Sequence, residues 1–343
     1  WCPRARLMME RVVAAAKAAG GEIDPDPYLV DENASLVEEP HVVTGSYDPA
    51  FLELPASVIR SVARGHQKYF CVQKSEDELL PAYVTVVNTA NDPLAIAKGN
   101  DRVMRARLSD ARFFFEEDKR ARLETRAAKL GGIVFHNRLG TVAEKVVRMT
   151  ALAGAIARRL ELPDDAANVD LAARLCKADL VSLMVGEFPE LQGHMGRAYA
   201  RHEGLPAVVC DALRDHYRPL GADGAVATTD VAAVVGLADR LDTLVGCFAV
   251  GLAPTGAADP YALRRACIAV LRTLMEIPTG TPGWSRLDVG ELVGLAYDEL
   301  AAARKLDLSR DETLAKLDEF TAERLRGLLA AASRGAVADA VMA

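Results

Sequence analysis

The sequence predicts a mainly α-helical protein with a small α+β portion at its N-terminal end. Three observations lead to this prediction. Aromatic residues make up only 6% of the 343 residues, while Ala, Arg, Leu and Val are abundant. Short segments rich in β-branched and aromatic residues, which favour strands, lie within the first ninety residues. From residue 141 onward, apolar residues recur at helical spacing, with Gly and Pro between the periodic stretches.

Residues 1–98 are predicted to be the end of an α+β module. Helices are expected over 6–19, ending at Gly20-Gly21, and from Pro55 to Arg64, because proline at a helix start loses no hydrogen bond. Extended segments are expected at 36–37, 42–43, 69–73 and 82–87. The last two flank a polar turn, and we therefore expect them to form an antiparallel hairpin.

Residues 99–130 are predicted to form a long helix that serves as a basic connector, with Asn100 as its N-cap. Between residues 98 and 129, ten basic residues stand against six acidic ones, although the whole chain has a net charge of −7. One face of this helix carries Arg102, Arg105 and Arg112. Such a stripe can bind phosphates through guanidinium forks, or it can be an ordinary solvated face with helical ion pairs. Charge alone leaves both interpretations open.

The remaining residues are predicted to be helical, as one domain over 131–280 and a further helical body over 281–343. Helices are expected at 141–160, 168–185, 190–202, 206–217, 229–250, 260–275, 289–304 and 311–332. No fixed-period repeat or low-complexity tract is visible in the sequence.

Cysteine usage and hydropathy predict a reduced, cytoplasmic protein that does not cross a membrane. The six cysteines include no Cys-x-x-Cys pair, so a zinc ribbon or a disulfide framework is not expected. The longest uncharged run, 243–258, is too short to span a bilayer. The net charge excludes a highly basic nucleic-acid-binding protein but leaves a local basic strip possible. Because the chain begins at Trp1 rather than at a methionine, we expect a piece of a longer protein.

Potential metal ligands are scattered through the predicted helical domain. They are His136, the triplet Lys177-Ala178-Asp179, and the pair Asp239 and Asp242. Their order resembles the HD superfamily of metal-dependent phosphohydrolases, in which a His, a His-Asp pair and a distant Asp hold a divalent ion that activates water. Ala178 stands where the paired histidine belongs. We therefore expect no metal and predict that Asp179 and Asp239 are buried carboxylates paired with Lys or Arg.

Other catalytic patterns are weak or missing. The sequence contains no Gly-x-Ser-x-Gly elbow, Walker loop or His-Glu-x-x-His motif, so no catalytic residue is assigned. His66, in a polar cluster at a predicted helix end, is a minor candidate, because a helix C-terminus also favours cations for local reasons. The alternative function is an HD-type metal-dependent nucleotide phosphohydrolase, which would need a ligand to replace Ala178.

Four literal strings carry a second resemblance. They are HQKYF (66–70), GNDRVMRARLSDARFFFEEDKR (99–120), LCKADLVSLMVGEFPELQGHMGRAYA (175–200) and LADRLDTLVGCFAVGLAPTGAADPYALRR (237–265). These collinear strings resemble the β subunit of bacterial heterotetrameric glycyl-tRNA synthetase, and the resemblance runs from about residue 36 to residue 275. That family also carries an HD-like domain with Lys-Ala-Asp in place of His-Asp. It commonly has a Gln where this chain has His136.

The resemblance implies a non-catalytic, tRNA-binding role for this chain. In that family the enzyme is an α2β2 class II synthetase that joins glycine to tRNA-Gly with ATP. The α subunit holds the adenylation site, with its ATP and Mg, so this chain would bind no cofactor of its own. From the resemblance we expect this chain to lack the family's anticodon-binding domain, and 131–280 would be the degenerate HD-like domain. The candidate tRNA-binding residues are Lys68, Arg102, Arg105, Arg107, Arg112, Arg264 and Arg265.

Overall fold

The computed structural model describes residues 3–24, 26–65, 67–75, 78–221, 223–256 and 258–332. Its strands are β1 (Glu22–Ile23), β2 (His41–Ser46), β3 (Phe70–Ser75), β4 (Glu78–Val87), β5 (Val134–His136) and β6 (Gly140–Thr141). Its helices are α1 (Pro3–Ala18), α2 (Pro27–Leu36), α3 (Ala56–Gly65), α4 (Pro93–Lys119), α5 (Leu123–Ala127), α6 (Val142–Arg159), α7 (Ala166–Leu175), α8 (Leu183–Glu187), α9 (His194–His202), α10 (Ala207–Asp215), α11 (Asp230–Ala249), α12 (Leu263–Glu276), α13 (Val289–Ala303) and α14 (Arg310–Ala332). The mainly α fold class is confirmed.

The chain divides into two compact units. The first consists of Trp1–Arg120 with Leu183–Leu191, and the second of Ala121–Ser182 with Gln192–Ala343. The division at Arg120 falls inside the predicted 99–130 connector, whereas the finer predicted boundaries stay predictions. No helix among the described residues is both long and apolar enough to cross a membrane.

A four-stranded antiparallel sheet forms the centre of the first unit. Its strand order is β1-β3-β4-β2, and the predicted hairpin is confirmed by the pairing of β3 with β4. Part of the predicted turn, Glu76-Asp77, lies outside the described residues. The predicted extended segment 42–43 lies in β2, but the prediction for 36–37 is wrong because Leu36 ends α2 and Val37 caps it. Helices α1 and α2 share with the sheet a core that includes Met8 and Phe70.

Helix α4 starts earlier and ends earlier than the sequence predicted. Its N-cap is Asp92, whose carboxylate accepts a hydrogen bond from the Ala95 N–H at 3.0 Å, and Pro93 follows as the first helical residue. An acidic N-cap before proline is a strong start signal, so Asn100 lies inside the helix and is not its cap. The helix ends at Lys119, and a separate short helix, α5, follows. The predicted single helix over 99–130 is therefore wrong.

Two aspartates hold α4 in the first unit. Asp101 Oδ1 accepts hydrogen bonds from the Ser46 N–H and the Tyr83 hydroxyl, each at 2.8 Å, and this ties the helix to the sheet. Near the other end, both carboxylate oxygens of the buried Asp118 accept the first N–H groups of α8, at 3.0 Å. Between these points, Met104, Leu108, Ala111 and Phe115 form the buried face of the helix. These anchors and the buried face hold α4 in place, so its opposite face has one orientation within the first unit.

The second unit is a helical assembly with α11 at its centre. Sixteen of the twenty residues of α11 are buried, as expected for a helix that is apolar all round. Helices α6, α7, α10, α12, α13 and α14 all pack against it. The predictions for α6 and for α10 to α14 are confirmed to within three residues at each end. Because α11 is central, its few polar residues are placed inside the unit.

The predicted helix over 168–185 is wrong. Helix α7 ends at Leu175, and a 3₁₀ turn over Ala178–Val181 follows it. The turn closes by hydrogen bonds from Leu180 N–H to the Lys177 carbonyl and from Ser182 N–H to the Asp179 carbonyl. The triplet 177–179 therefore lies after a helix rather than inside one. The predicted helix 190–202 likewise begins later, at His194, behind the positive-φ residue Gly193.

Candidate functional site

The HD-like residues of the second unit meet in a buried cluster around Asp239 on α11. The ammonium of Lys177, whose side chain is only 7% exposed, lies 2.6 Å from Asp239 Oδ2 and 3.0 Å from His216 Nε2. The same nitrogen lies 4.0 Å from the centre of the Tyr217 ring, a cation–π contact. Lys177 thus makes contacts with an anion, an imidazole nitrogen and an aromatic face.

A second ammonium occupies the other side of Asp239. Lys145, on α6, has a side chain that is 4% exposed, and its nitrogen lies 2.9 Å from Asp239 Oδ1. It is also 2.9 Å from the Asp239 carbonyl oxygen, 3.2 Å from Asp242 Oδ2 and 2.7 Å from Thr243 Oγ1. Four oxygen atoms therefore surround the Lys145 ammonium, and Asp239 is shared between the two lysines.

Two arginines complete the cluster. Arg148, one turn after Lys145 on α6, binds Asp242 through Nε at 2.6 Å and Nη2 at 3.1 Å. Arg240 on α11 donates to backbone carbonyls, with 2.9 Å to His216 and 2.6 Å to Tyr217. The first arginine neutralises a carboxylate, and the second fixes the chain that follows α10.

Burial and the lysines together set the protonation states in the cluster. Burial alone would raise the pKa of Asp239, but the ammonium groups of Lys145 and Lys177 hold it well below its usual value. Burial, followed by the charge of Lys177, lowers the pKa of His216 well below its usual value. A neutral His216 donates from Nδ1 to the Ala212 carbonyl, 3.2 Å away, and accepts from Lys177 at Nε2.

Asp179 forms no ion pair with a lysine or arginine in the described part of the chain, and the prediction for it is corrected. Its Oδ2 accepts the N–H groups of Gly193 at 2.5 Å and Gly196 at 3.0 Å, at the start of α9. Burial raises the pKa of Asp179 to about 6, although these two N–H groups act to lower it. At Gly193, φ is +82° and a Cβ atom would lie 2.8 Å from the Tyr217 ring. Asp179 therefore caps a helix, while the predicted pairing of Asp239 with lysine is confirmed.

His136 makes different contacts from those of the cluster. It lies in β5, where its Nδ1 accepts the Arg138 N–H at 3.1 Å and its ring meets the edge of the Tyr261 ring. Neither partner belongs to the buried cluster around Asp239, which we call the lysine cluster after Lys145 and Lys177. The role of His136 as a remnant ligand is therefore not supported by these contacts.

The residues of the cluster do not fit the divalent ion that an HD-type centre implies. Each carboxylate oxygen of Asp239 contacts an ammonium, and both oxygens of Asp242 contact Arg148. Ala178 is fully buried and has no donor atom. Among the described residues, no group of three or more His, Cys, Asp or Glu side chains is arranged to hold a metal. The positions that a metal ion would take beside Asp239 and Asp242 are therefore held by cationic side chains.

A basic face on α4 forms a second candidate site, in the first unit. Arg102 and Arg105 are exposed and Arg107 is partly exposed. None of the three guanidinium groups has a carboxylate partner within the described part of the chain. Phe113, 60% exposed, lies further along the same helix. We call Arg102, Arg105 and Phe113 the α4 face.

Arg112 does not belong to this exposed face, which corrects the predicted three-arginine stripe. Its guanidinium carbon lies 4.2 Å from the centre of the Phe51 ring, and two of its nitrogens are shielded from solvent. The side chain packs over an aromatic ring at the margin of α4. This packing separates Arg112 from the exposed Arg102 and Arg105, and its role as a tRNA-binding residue stays a prediction.

The other candidate residues are dispersed. Lys68 forms an ion pair with Glu32 at 2.7 Å and also donates to the Gly65 carbonyl. Arg264 donates to the Gly256 carbonyl at 2.5 Å, and Arg265 beside it is exposed. His66 lies outside the described residues. The contacts of Lys68 do not bring it to the α4 face.

Comparison with known proteins decides the family. A profile described as "Glycyl-tRNA synthetase beta subunit" matches residues 2–343. The chain belongs to this family. The resemblance seen in the four strings is thereby confirmed for the glycyl-tRNA synthetase β-subunit family, and it extends over almost the whole chain.

Curated members of the glycyl-tRNA synthetase β-subunit family align with nearly all of this chain. The glycine–tRNA ligase beta subunit of Geobacter sulfurreducens is 44% identical over 341 residues, covering 99% of this chain and 48% of the relative. That of Trichlorobacter lovleyi is 46% identical over 329 residues, covering 96% and 47%. That of Phenylobacterium zucineum is 48% identical over 314 residues, covering 89% and 47%. The chain thus spans about half the length of the curated relatives it matches.

Several residues of the cluster around Asp239 are not among those predicted from the sequence of this β-subunit relative. They are Lys145, Arg148, His216, Tyr217 and Arg240. One usable signal was the phase of α6, because Lys145 and Arg148 share the buried helix face with Val142, Met149 and Leu152. Charged residues at apolar positions of a helix indicate a buried ionic partner.

Proposed function

We propose that this chain is a non-catalytic, tRNA-binding part of the β subunit of glycine–tRNA ligase. In this role it supports the ATP-dependent attachment of glycine to tRNA-Gly by the α subunit. Family membership supports the assignment to the ligase. The single observation that carries the RNA-binding role is the pair of exposed guanidinium groups of Arg102 and Arg105, which lack a carboxylate partner among the described residues.

The α4 face has the chemistry of an RNA contact. Arg102 and Arg105 are three residues apart and therefore about 4.5 Å apart along the helix axis, on the same side. Guanidinium groups bind phosphate oxygens with two N–H donors, and an exposed aromatic ring can stack on an unpaired base. Asp101 and Asp118 hold α4 to the rest of its unit, so the face is presented in one orientation.

The lysine cluster supports a non-catalytic role for the second unit. Its carboxylates are neutralised by internal cations, and His216 is buried between Lys177 and the Ala212 carbonyl. We propose that adenylation, with ATP and Mg, takes place on the α subunit of an α2β2 class II enzyme. This chain then needs no cofactor of its own, and its partners are tRNA-Gly and the α subunit.

Binding of a tRNA-Gly transcript to this chain tests the proposal. Charge reversal in Arg102→Glu/Arg105→Glu replaces attraction to phosphates by repulsion, and we expect affinity to fall by about tenfold or more. Lys316→Glu, at an exposed position of α14, is a charge-reversal control at a single site and should change affinity little. Thermal unfolding of all three proteins separates lost binding from lost folding. Unchanged affinity in the folded double variant would remove the α4 face from the interface.

No observation favours the alternative, an HD-type nucleotide phosphohydrolase. Ala178 has no donor atom, and ammonium groups contact both oxygens of Asp239. We expect no release of phosphate from nucleotides when Mn²⁺ is added. Hydrolysis that Asp239→Ala abolishes would establish the alternative.

A further inference from the structure

We propose that the ammonium groups of Lys145 and Lys177 together replace one divalent cation, so that removing both opens a metal-binding site around Asp239. The proposal concerns the second unit alone and does not depend on tRNA binding. It rests on the donor atoms around the two nitrogens and on the charge balance of the cluster.

The Lys145 ammonium occupies a position with the ligands of a hard cation. Its four oxygen neighbours comprise carboxylate oxygens of Asp239 and Asp242, a backbone carbonyl oxygen and the Thr243 hydroxyl, at 2.7–3.2 Å. Carboxylate, carbonyl and hydroxyl oxygens are the donors that Mg²⁺, Ca²⁺ and Mn²⁺ prefer. An ammonium has three protons, so four oxygen neighbours exceed what ordinary lysine pairing requires.

The Lys177 ammonium lies between one nitrogen and one oxygen donor. His216 Nε2 is 3.0 Å away and Asp239 Oδ2 is 2.6 Å away. Because an ammonium only donates, His216 Nε2 accepts from Lys177 and so offers a lone pair, while the other ring nitrogen is directed to the Ala212 carbonyl. An imidazole nitrogen suits divalent transition metals, and a carboxylate oxygen suits Mn²⁺. Since Asp239 bonds to both lysines, its carboxylate is where the two donor sets meet.

The charges in the cluster indicate how many ammonium groups correspond to one divalent ion. The carboxylates of Asp239 and Asp242 carry two negative charges, and Arg148 offsets one of them. The two ammonium groups supply two positive charges, the same number as one divalent ion. Removing one lysine therefore leaves room for a monovalent cation, whereas removing both leaves a site that attracts a divalent ion.

Manganese binding to the double variant Lys145→Ala/Lys177→Ala tests this inference directly. The probe is Mn²⁺ alone, and the readouts are the loss of the free-ion paramagnetic resonance signal and the shift in Tm. We expect the double variant to bind about one Mn²⁺ and to gain Tm on binding. We expect the unmodified chain and the exposed control Lys74→Ala to do neither. Adding Asp239→Asn to the double variant should abolish binding.

A single variant decides the matter if the double variant does not fold. Lys145→Ala removes the donor that four buried oxygen atoms share, so its Tm should fall by roughly 10 °C relative to Lys74→Ala. Methylammonium chloride should restore part of that loss, while tetramethylammonium chloride, too large for the vacated space, should not. Three results would overturn the inference: Mn²⁺ binding at this cluster in the unmodified chain, a folded double variant that binds none, or Lys145→Ala with the Tm of the control.

Discussion

Arg148 and Asp242 form a two-point contact between α6 and α11. Nε lies 2.6 Å from Oδ1 and Nη2 lies 3.1 Å from Oδ2, and each side chain is only 3% exposed. A fork of this kind matches the plane of a carboxylate and fixes both groups. It joins the helix that carries Lys145 to the helix that carries Asp239. The lysine cluster therefore depends on the geometry of this pair.

Replacing Arg148 by Met should lower the free energy of unfolding by about 3–5 kcal/mol, because it leaves the Asp242 carboxylate buried without this partner. Adding Asp242→Asn should recover part of the loss, since the second change removes the uncompensated charge. Arg148→Lys keeps the charge but not the fork, so its loss should be intermediate. Urea denaturation of these variants, of the single variant Asp242→Asn and of the unmodified chain measures these values. Additive losses in the double variant would contradict a direct coupling.

The buried His216 should make stability depend on pH. Burial and Lys177 lower its pKa in the folded protein below the usual 6.5, so below about pH 6.5 only the unfolded chain takes up this proton. The contribution of neutral His216 to the free energy of unfolding is therefore fully present above pH 6.5. As the pH falls below that value, it is lost by at most about 1.4 kcal/mol per pH unit. The variant His216→Gln should lack this pH dependence. The difference in unfolding free energy between the two proteins should thus be constant above about pH 7 and change below it, whereas parallel curves would refute the assignment.

Gly45 in β2 should not tolerate a methyl group. A Cβ atom there would lie 2.2 Å from Cζ of Tyr83 and 2.6 Å from Asp101 Oδ1, the pair that ties α4 to the sheet. Gly45→Ala should therefore cost about 1–3 kcal/mol through overpacking. Gly99→Ala is the matched control, because no atom beyond its chain neighbours and the backbone of α4 lies within 4 Å of its Cβ position, and it should stabilise the protein by roughly 0.5–1 kcal/mol. Thermal unfolding measures the Tm of both variants, and shifts in the same direction would contradict this prediction.

Local signals predicted much of the helical part of the fold. Thr141 and Thr229 cap α6 and α11 with their side chains, and Pro206 precedes α10, all at the predicted starts. The predicted start of α4 is too late although Asp92-Pro93 carries a start signal, because the helical pattern becomes clear only after residue 99. The end of α7 at Leu175 could not be read locally, since Asp179 is held by N–H groups of Gly193 and Gly196 that follow much later in the chain.

In the candidate site, too, contacts between residues far apart in the sequence could not be predicted from local signals. The prediction that Asp239 is a buried carboxylate paired with lysine is confirmed by Lys177. Its second partner, Lys145, lies 94 residues earlier, and no local pattern links the two positions. The exposure of Arg102 and Arg105 follows from helical spacing, whereas Arg112 is drawn to Phe51 by the neighbouring 3₁₀ turn, Pro49–Glu53. Tertiary contacts therefore decide which arginine side chains of α4 stay exposed.

The salt dependence of tRNA-Gly binding tests the central claim most directly. Each phosphate contact releases counterions, so the logarithm of the association constant falls linearly with the logarithm of the salt concentration. Neutralising two contacts in Arg102→Gln/Arg105→Gln should make that slope shallower by about 2, while Lys316→Gln should leave it unchanged. A double variant that folds normally and keeps both the affinity and the slope of the unmodified chain would contradict the assignment of the α4 face to tRNA binding.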